Sequence, residues 1–296
     1  MVKELPRSGP GGRAMRKVSL QHGLPDGVAA VVTSVVVRAE TPNAAPVAYL
    51  KTWRAGVDGN WDNASKWAHK GVPNALDRVL IAAAGSYTVT VNSADYAQSV
   101  VLDNGTATLS IAAGGDLDVE QGLDVQAGTL ALAGGGSLGF GTTIEIGQAG
   151  TLLDTGAAAI AAAVASSGTI GIAAGVLELT GGGTIGGTVA GGGAIDFAGG
   201  TFTSTAAALA GVGGLQVNNG ASLMLSGASG TLQASAVDVV SGTIAIAAGA
   251  TLTLAGDAVF GSSIDASGGS ASFNGTLITS GQTTIDPERQ PVSGSA

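Results

Sequence analysis

SGTIAIAAGATLTLAG, residues Ser241–Gly256, alternates apolar and small polar residues in two short bursts. In an extended chain Ile244 and Ile246 fall on one side, Thr243 and Ala245 on the other. After Ala247-Ala248-Gly249 the alternation restarts with Leu252 and Leu254. Period-two alternation over about four residues, broken by glycine and resumed, marks short half-buried strands joined by tight corners.

The same phrase recurs loosely from Asn104 to Ile285. Of the 50 glycines, forty lie between Gly105 and Gly281, and Gly-Thr occurs eleven times, usually before an apolar residue, as at Gly128-Thr129-Leu130 and Gly168-Thr169-Ile170. Glycine supplies a positive-φ corner and β-branched Thr starts the next strand. The spacing of these dipeptides runs from 4 to 33 residues. Irregular corners joining short strands predict an all-β chain wound as a right-handed parallel β-helix, a β-solenoid with coils of about 20 residues. The aliphatic pairs of each burst point inward: Leu130 and Leu132, Ile144 and Ile146, Ile170 and Ile172, Leu177 and Leu179, Ile195 and Phe197, Leu223 and Leu225, Val237 and Val239. Ala157–Ala165 reads as a compact coil in place of a short helix.

Upstream of the coils, Lys51–Ile81 differs in kind. It carries all three tryptophans, Trp53, Trp61 and Trp67, and five of the twelve basic residues. An open solenoid end exposes its core and its strand edges, and large aromatics packed over it would close it. Trp53, Trp61, Trp67, Pro73 and Asp77 are therefore expected to form an N-terminal cap over residues 51–81, ahead of coils at 82–285. A sugar-stacking platform is the competing reading. Tyr87–Val91 and Gln98–Leu102 read as strands, with Asn92–Tyr96 as a loop between them.

Residues 1–50 read as a leader or arm. A basic segment, the eleven-residue apolar run Gly27–Val37 and the small residues around Arg38 have the layout of a secretory signal, and a strand or arm is the other reading. The run is too short to span a bilayer as a helix. Residues 286–296, which break the pattern with two prolines, read as a tail.

Charge narrows the chemistry. The formal net charge is −9, and from Val79 to Glu288 there is no Lys, Arg or His against fifteen Asp and Glu. Such a surface offers phosphates nothing, so nucleic acid and anionic membranes are poor partners. The chain has no cysteine, which removes thiolate chemistry and disulfides. The coils lack the histidine of a Ser-His-Asp triad, and no lysine follows their glycine strings as in a P-loop. Asp116, Asp118 and Glu120, spaced by two beside Asp124, form the one dense acidic cluster. They are a weak Ca²⁺ candidate set against the plainer reading of a solvated strand face. No cofactor is expected. An ice-binding face needs ranks of Thr-x-Thr; Thr88/Thr90, Thr201/Thr203 and Thr251/Thr253 occur, but not at regular spacing.

Trp61, Trp67, Gly71-Val72-Pro73-Asn74, Asp77 and Tyr87–Val91, followed by Gly-Thr-Leu coils, resemble the start of β-helical passenger regions in autotransporter-type and adhesin-like surface proteins of Gram-negative bacteria. The resemblance covers about Lys51–Ile285. It implies export, an extracellular or cell-surface place, and surface glycans or proteins as partners. It also implies an outer-membrane translocator, for which no strand pattern is seen near residue 296, so the chain itself is not expected to be an integral membrane protein. The expectation is a non-enzymatic adhesin-like stalk or structural passenger; the alternative is a carbohydrate-binding or carbohydrate-active β-helix.

Overall fold

The chain winds into a parallel β-solenoid with three faces, in a computed structural model that describes residues 50–279 apart from 70, 141–142, 228–229, 233–235, 240, 248–250, 255–256, 261–262, 266–269 and 274–276. The readings of the leader, of Gly27–Val37 and of the tail lie outside the described residues. The first face stacks Leu50–Thr52 on Arg78–Ile81, then 99–102, 122–125, 143–146, 163–166, and onward to Ser263–Asp265. The second stacks Gly59–Asn60, Tyr87–Val91, 107–111, 129–132, 149–154, Thr169–Ile172 and 188–190. The third runs from 94–97 through 116–119 and Val176–Leu179 to Leu277–Thr279. Two long strands, Ala94–Ile111 and Asp116–Leu132, bend across all three faces. In-register partners lie 18 residues apart from Val176 to Ala194 and 23 apart from Val100 to Leu123. Among the described residues there is one 3-10 turn, Ala64–Lys66, and no α-helix; no helix is long and apolar enough to cross a membrane.

Every inward pair expected from the sequence is buried, as are Ile244 and Ile246 of the opening stretch. Register turns these pairs into columns. On the first face Val79, Val100, Leu123, Ile144 and Val164 succeed one another, and Phe202, Leu223, Ile244 and Ile264 continue the line beyond Gly183. Each buried Leu or Ile contributes about 1.5–3 kcal/mol, so a column of them stabilises the winding without any long-range side-chain pairing. Ala158–Ile160 and Ala163–Ser166 are strands of one compact coil, as read from the alanine run.

The reason for the Gly-Thr dipeptides is only in part the expected one. Gly128, Gly183 and Gly200 hold positive φ, of 103°, 134° and 71°, but Gly150, Gly168 and Gly187 do not. At each of the latter three a Cβ would collide with a carbonyl oxygen of the preceding coil: Val125, Gly147 and Gly168 respectively. Glycine stands there because two backbones approach too closely for any side chain, and only secondarily because of its freedom to turn.

Two boundaries also shift. Ala94–Tyr96 is already strand, forming the first rung of the third face, where a loop is expected. The rung needs only alternating burial against Leu117 and Val119, a signal too short to stand out in sequence. The cap segment is itself part of the winding, because Leu50–Thr52 and Gly59–Asn60 supply the first rungs of two faces.

Candidate functional site

The first coil collects the aromatic residues. Trp53, Trp61 and Trp67 are 3%, 0% and 0% exposed, so they form packing and no open platform for a sugar ring. Trp67 is the hub: its ring lies edge-on to Trp53 and to Trp61, both at 4.9 Å between centroids, the geometry that aromatic quadrupoles favour. Trp67 Nε1 donates to the Trp61 carbonyl at 2.7 Å, and Trp53 Nε1 to the Val57 carbonyl at 3.2 Å. Lys51 is buried at the head of the first-face column, beside Val79, and its Nζ donates to the His69 carbonyl at 2.9 Å. Pro73 is buried, and the buried Asp77 carboxylate accepts from the Asn74 amide and side-chain amide at 3.1 and 2.7 Å, locking the turn into the second coil. All five residues expected in the cap are buried; the three tryptophans form one ring cluster, and Asp77 holds a separate turn with Asn74.

The acidic residues sort by face. Asp116 and Asp118 point outward on the third face while Leu117 and Val119 point in. Asp116 accepts from the Ser137 hydroxyl of the next coil. Asp118 stands between Tyr96 and Gly139 in register, and Glu120 is exposed past the end of that rung. Among the described residues no three acidic or histidine side chains converge as a metal would require. Tyr96, 48% exposed, is the aromatic beside this cluster. Tyr87, Phe197 and Phe202 are buried in the core.

A groove of about 480 Å³ lies on the first face, lined by Asp124, Glu145, Ile146, Ser166, Ser167 and Thr184 among others. Asp124 and Glu145 are register partners in adjacent coils, and Asp124 accepts from Gln126 at 2.7 Å. The pairing was not legible in the sequence, since the two residues are 21 positions apart in coils of unequal length. Paired carboxylates are the equipment of glycoside hydrolysis, but the lining has no aromatic residue and no cation to hold a sugar.

The residue that sequence reasoning missed is Asp154. It occupies an inward position, between Leu132 and Ile172 in the second-face column, and is fully buried. Its Oδ1 accepts from the Gly156 amide at 3.0 Å; its Oδ2 has no partner. Burial pushes its carboxyl above the usual carboxylate range, against the pull of backbone amides at Gly156 and Ala158. The signal was present: in Thr151-Leu152-Leu153-Asp154 the aspartate falls on the same parity as buried Leu152.

No family model, curated protein or solved structure matches this chain.

Proposed function

We propose that this protein is an exported, non-enzymatic β-solenoid module that acts as an adhesin-like stalk or structural passenger at a cell surface. One observation carries the reading. A parallel ladder begins at an aromatic-packed first coil and continues through coil after coil, and from Val79 onward its outward positions bear no cationic side chain. Such a winding adds length for little sequence cost, because each coil needs only its neighbours. Its acidic flanks resist collapse onto anionic surfaces. The likeness of the Trp-to-Asp77 segment to β-helical passengers supports the surface location.

The test is twofold. In intact cells of the source organism, externally added protease is expected to degrade the protein, and the purified chain is expected to leave neutral and acidic polysaccharides uncleaved. Protection from protease until lysis would overturn the surface location. Polysaccharide cleavage abolished by Asp124→Asn or Glu145→Gln would overturn the non-enzymatic reading.

A further inference from the structure

The irregular Gly-Thr spacing of the sequence becomes regular in the fold. On the second face Thr88, Thr108, Thr129, Thr151, Thr169 and Thr188 are register partners in successive coils. Each precedes a fully buried residue (Val89, Leu109, Leu130, Leu152, Ile170, Val189), so each threonine points outward. The parallel outward row is Thr90, Ser110, Ala131, Leu153, Gly171 and Ala190, so the double Thr-x-Thr rank sought in the sequence reduces to a single rank of threonines. None of these positions is charged. The other two faces carry the acid: Asp124 and Glu145 on the first, Asp118, Glu178, Asp196 and Asp238 on the third. Apart from Asp58, whose carboxylate accepts from the Thr88 amide at 2.7 Å, and the inward Asp154, charge is therefore segregated away from one face of an acidic solenoid. After the turn at 206–210, hydroxyl residues resume in register at Thr231, Thr253 and Ser272, again between first- and third-face strands in chain order.

We propose that the second face, from Thr88 to Thr188, is an ice-binding surface. Stacked strands set the threonines about 4.8 Å apart, giving a row of about 24 Å. A threonine offers a hydroxyl that both donates and accepts and a methyl beside it, which suits a neutral lattice of water that also donates and accepts at every site. The row is held at fixed intervals, because Gly128, Gly150, Gly168 and Gly187 pack the preceding corner backbone directly on the coil beneath. Other occupants fit less well. Two outward residues per strand span about 7 Å, so the two rows present on the order of 200 Å², far below the ~800 Å² per partner of a stable protein interface. The face carries no aromatic or arginine anchor of the kind that dominates such interfaces, and no aromatic ring for a sugar to stack on. A solid lattice needs neither, since it meets every rung at once. This inference does not depend on where the protein resides.

The experiment uses the full chain in thermal-hysteresis and ice-partitioning assays. The wild type is expected to enter a growing ice front and to hold a hysteresis gap. Thr129→Tyr, and separately Thr169→Tyr at a more exposed rung, are expected to lower the hysteresis at least ten-fold with unchanged circular dichroism and Tm. Glu178→Gln, on the third face, is expected to change it less than two-fold. Exclusion of the folded wild type from ice would overturn the proposal, as would hysteresis that survives in both tyrosine variants. Binding to a neutral polysaccharide, or dimerisation, that Thr129→Tyr abolishes while ice partitioning is absent would overturn it as well and reassign the face.

Discussion

The first coil and the coils behind it solve the same problem with different chemistry. Residues 50–81 are the first coil among the described residues, and the contacts there are particular: Trp67 between two other indoles, Lys51 on the His69 carbonyl, Asp77 on Asn74. Behind them, one column position accepts Val, Leu, Ile or Phe in turn, because what matters is an apolar side chain over another. An end has one neighbour and must supply the rest of its packing itself; an interior coil is covered on both sides. Sequence particularity is therefore expected to concentrate at the end and at the corners where backbones touch, and to be low along the columns.

The sharpest way to break that contrast is at the hub. Trp67→Ala removes two edge-on ring contacts and the hydrogen bond to Trp61, and is expected to destabilise the fold by about 3–5 kcal/mol, in line with other large-to-small aromatic substitutions. Urea denaturation followed by tryptophan fluorescence checks it. A loss no larger than that of Ile170→Val in a middle column, about 0.5–1.5 kcal/mol, would remove the distinction between end and interior. Next in size is a corner. Gly168→Ala places a Cβ against the Gly147 carbonyl and is expected to cost about 1–3 kcal/mol as overpacking. At Gly105, where a Cβ meets nothing within 4 Å, the same substitution is expected to be neutral or stabilising, because it narrows the unfolded ensemble; an equal cost there would show that coil contact does not set the cost at these glycines.

How far the sequence carried the reading follows the same line. Alternating bursts exposed the strands and their inward residues, because burial at period two is written locally. The tryptophans exposed the end. Register was not legible: the spacing of Gly-Thr conceals the threonine row because successive threonines of that row lie 18 to 22 residues apart, the corners absorbing the difference. For the same reason Asp124 and Glu145 gave no sign of pairing. The Asp116–Glu120 cluster was visible, and its spacing of two places Asp116 and Asp118 on the outward side of one strand.

Asp154 is where an interior column departs from its own rule, and it yields the smallest effect with the most defined sign. A carboxylate between Leu132 and Ile172 stands where every argument from burial asks for an apolar residue. Its pKa in the folded chain lies above the usual 3.8 because burial disfavours the ionised form. The folded state thus binds more protons than the unfolded state between 3.8 and that raised value. Across this window stability falls as pH rises, and above it the cost is complete. Asp154→Asn keeps an oxygen for the Gly156 amide and removes the ionisable group. It is expected to leave stability unchanged near pH 3 and to raise it by about 1 kcal/mol at pH 7, the scale of one unsatisfied buried group. Denaturation midpoints of the two proteins across that range measure the difference. Parallel curves would mean that the unpartnered oxygen is hydrated and the column open at that rung. Converging curves toward acid would mean that the interior coils obey burial strictly, and that Asp154 is held at a standing cost in stability.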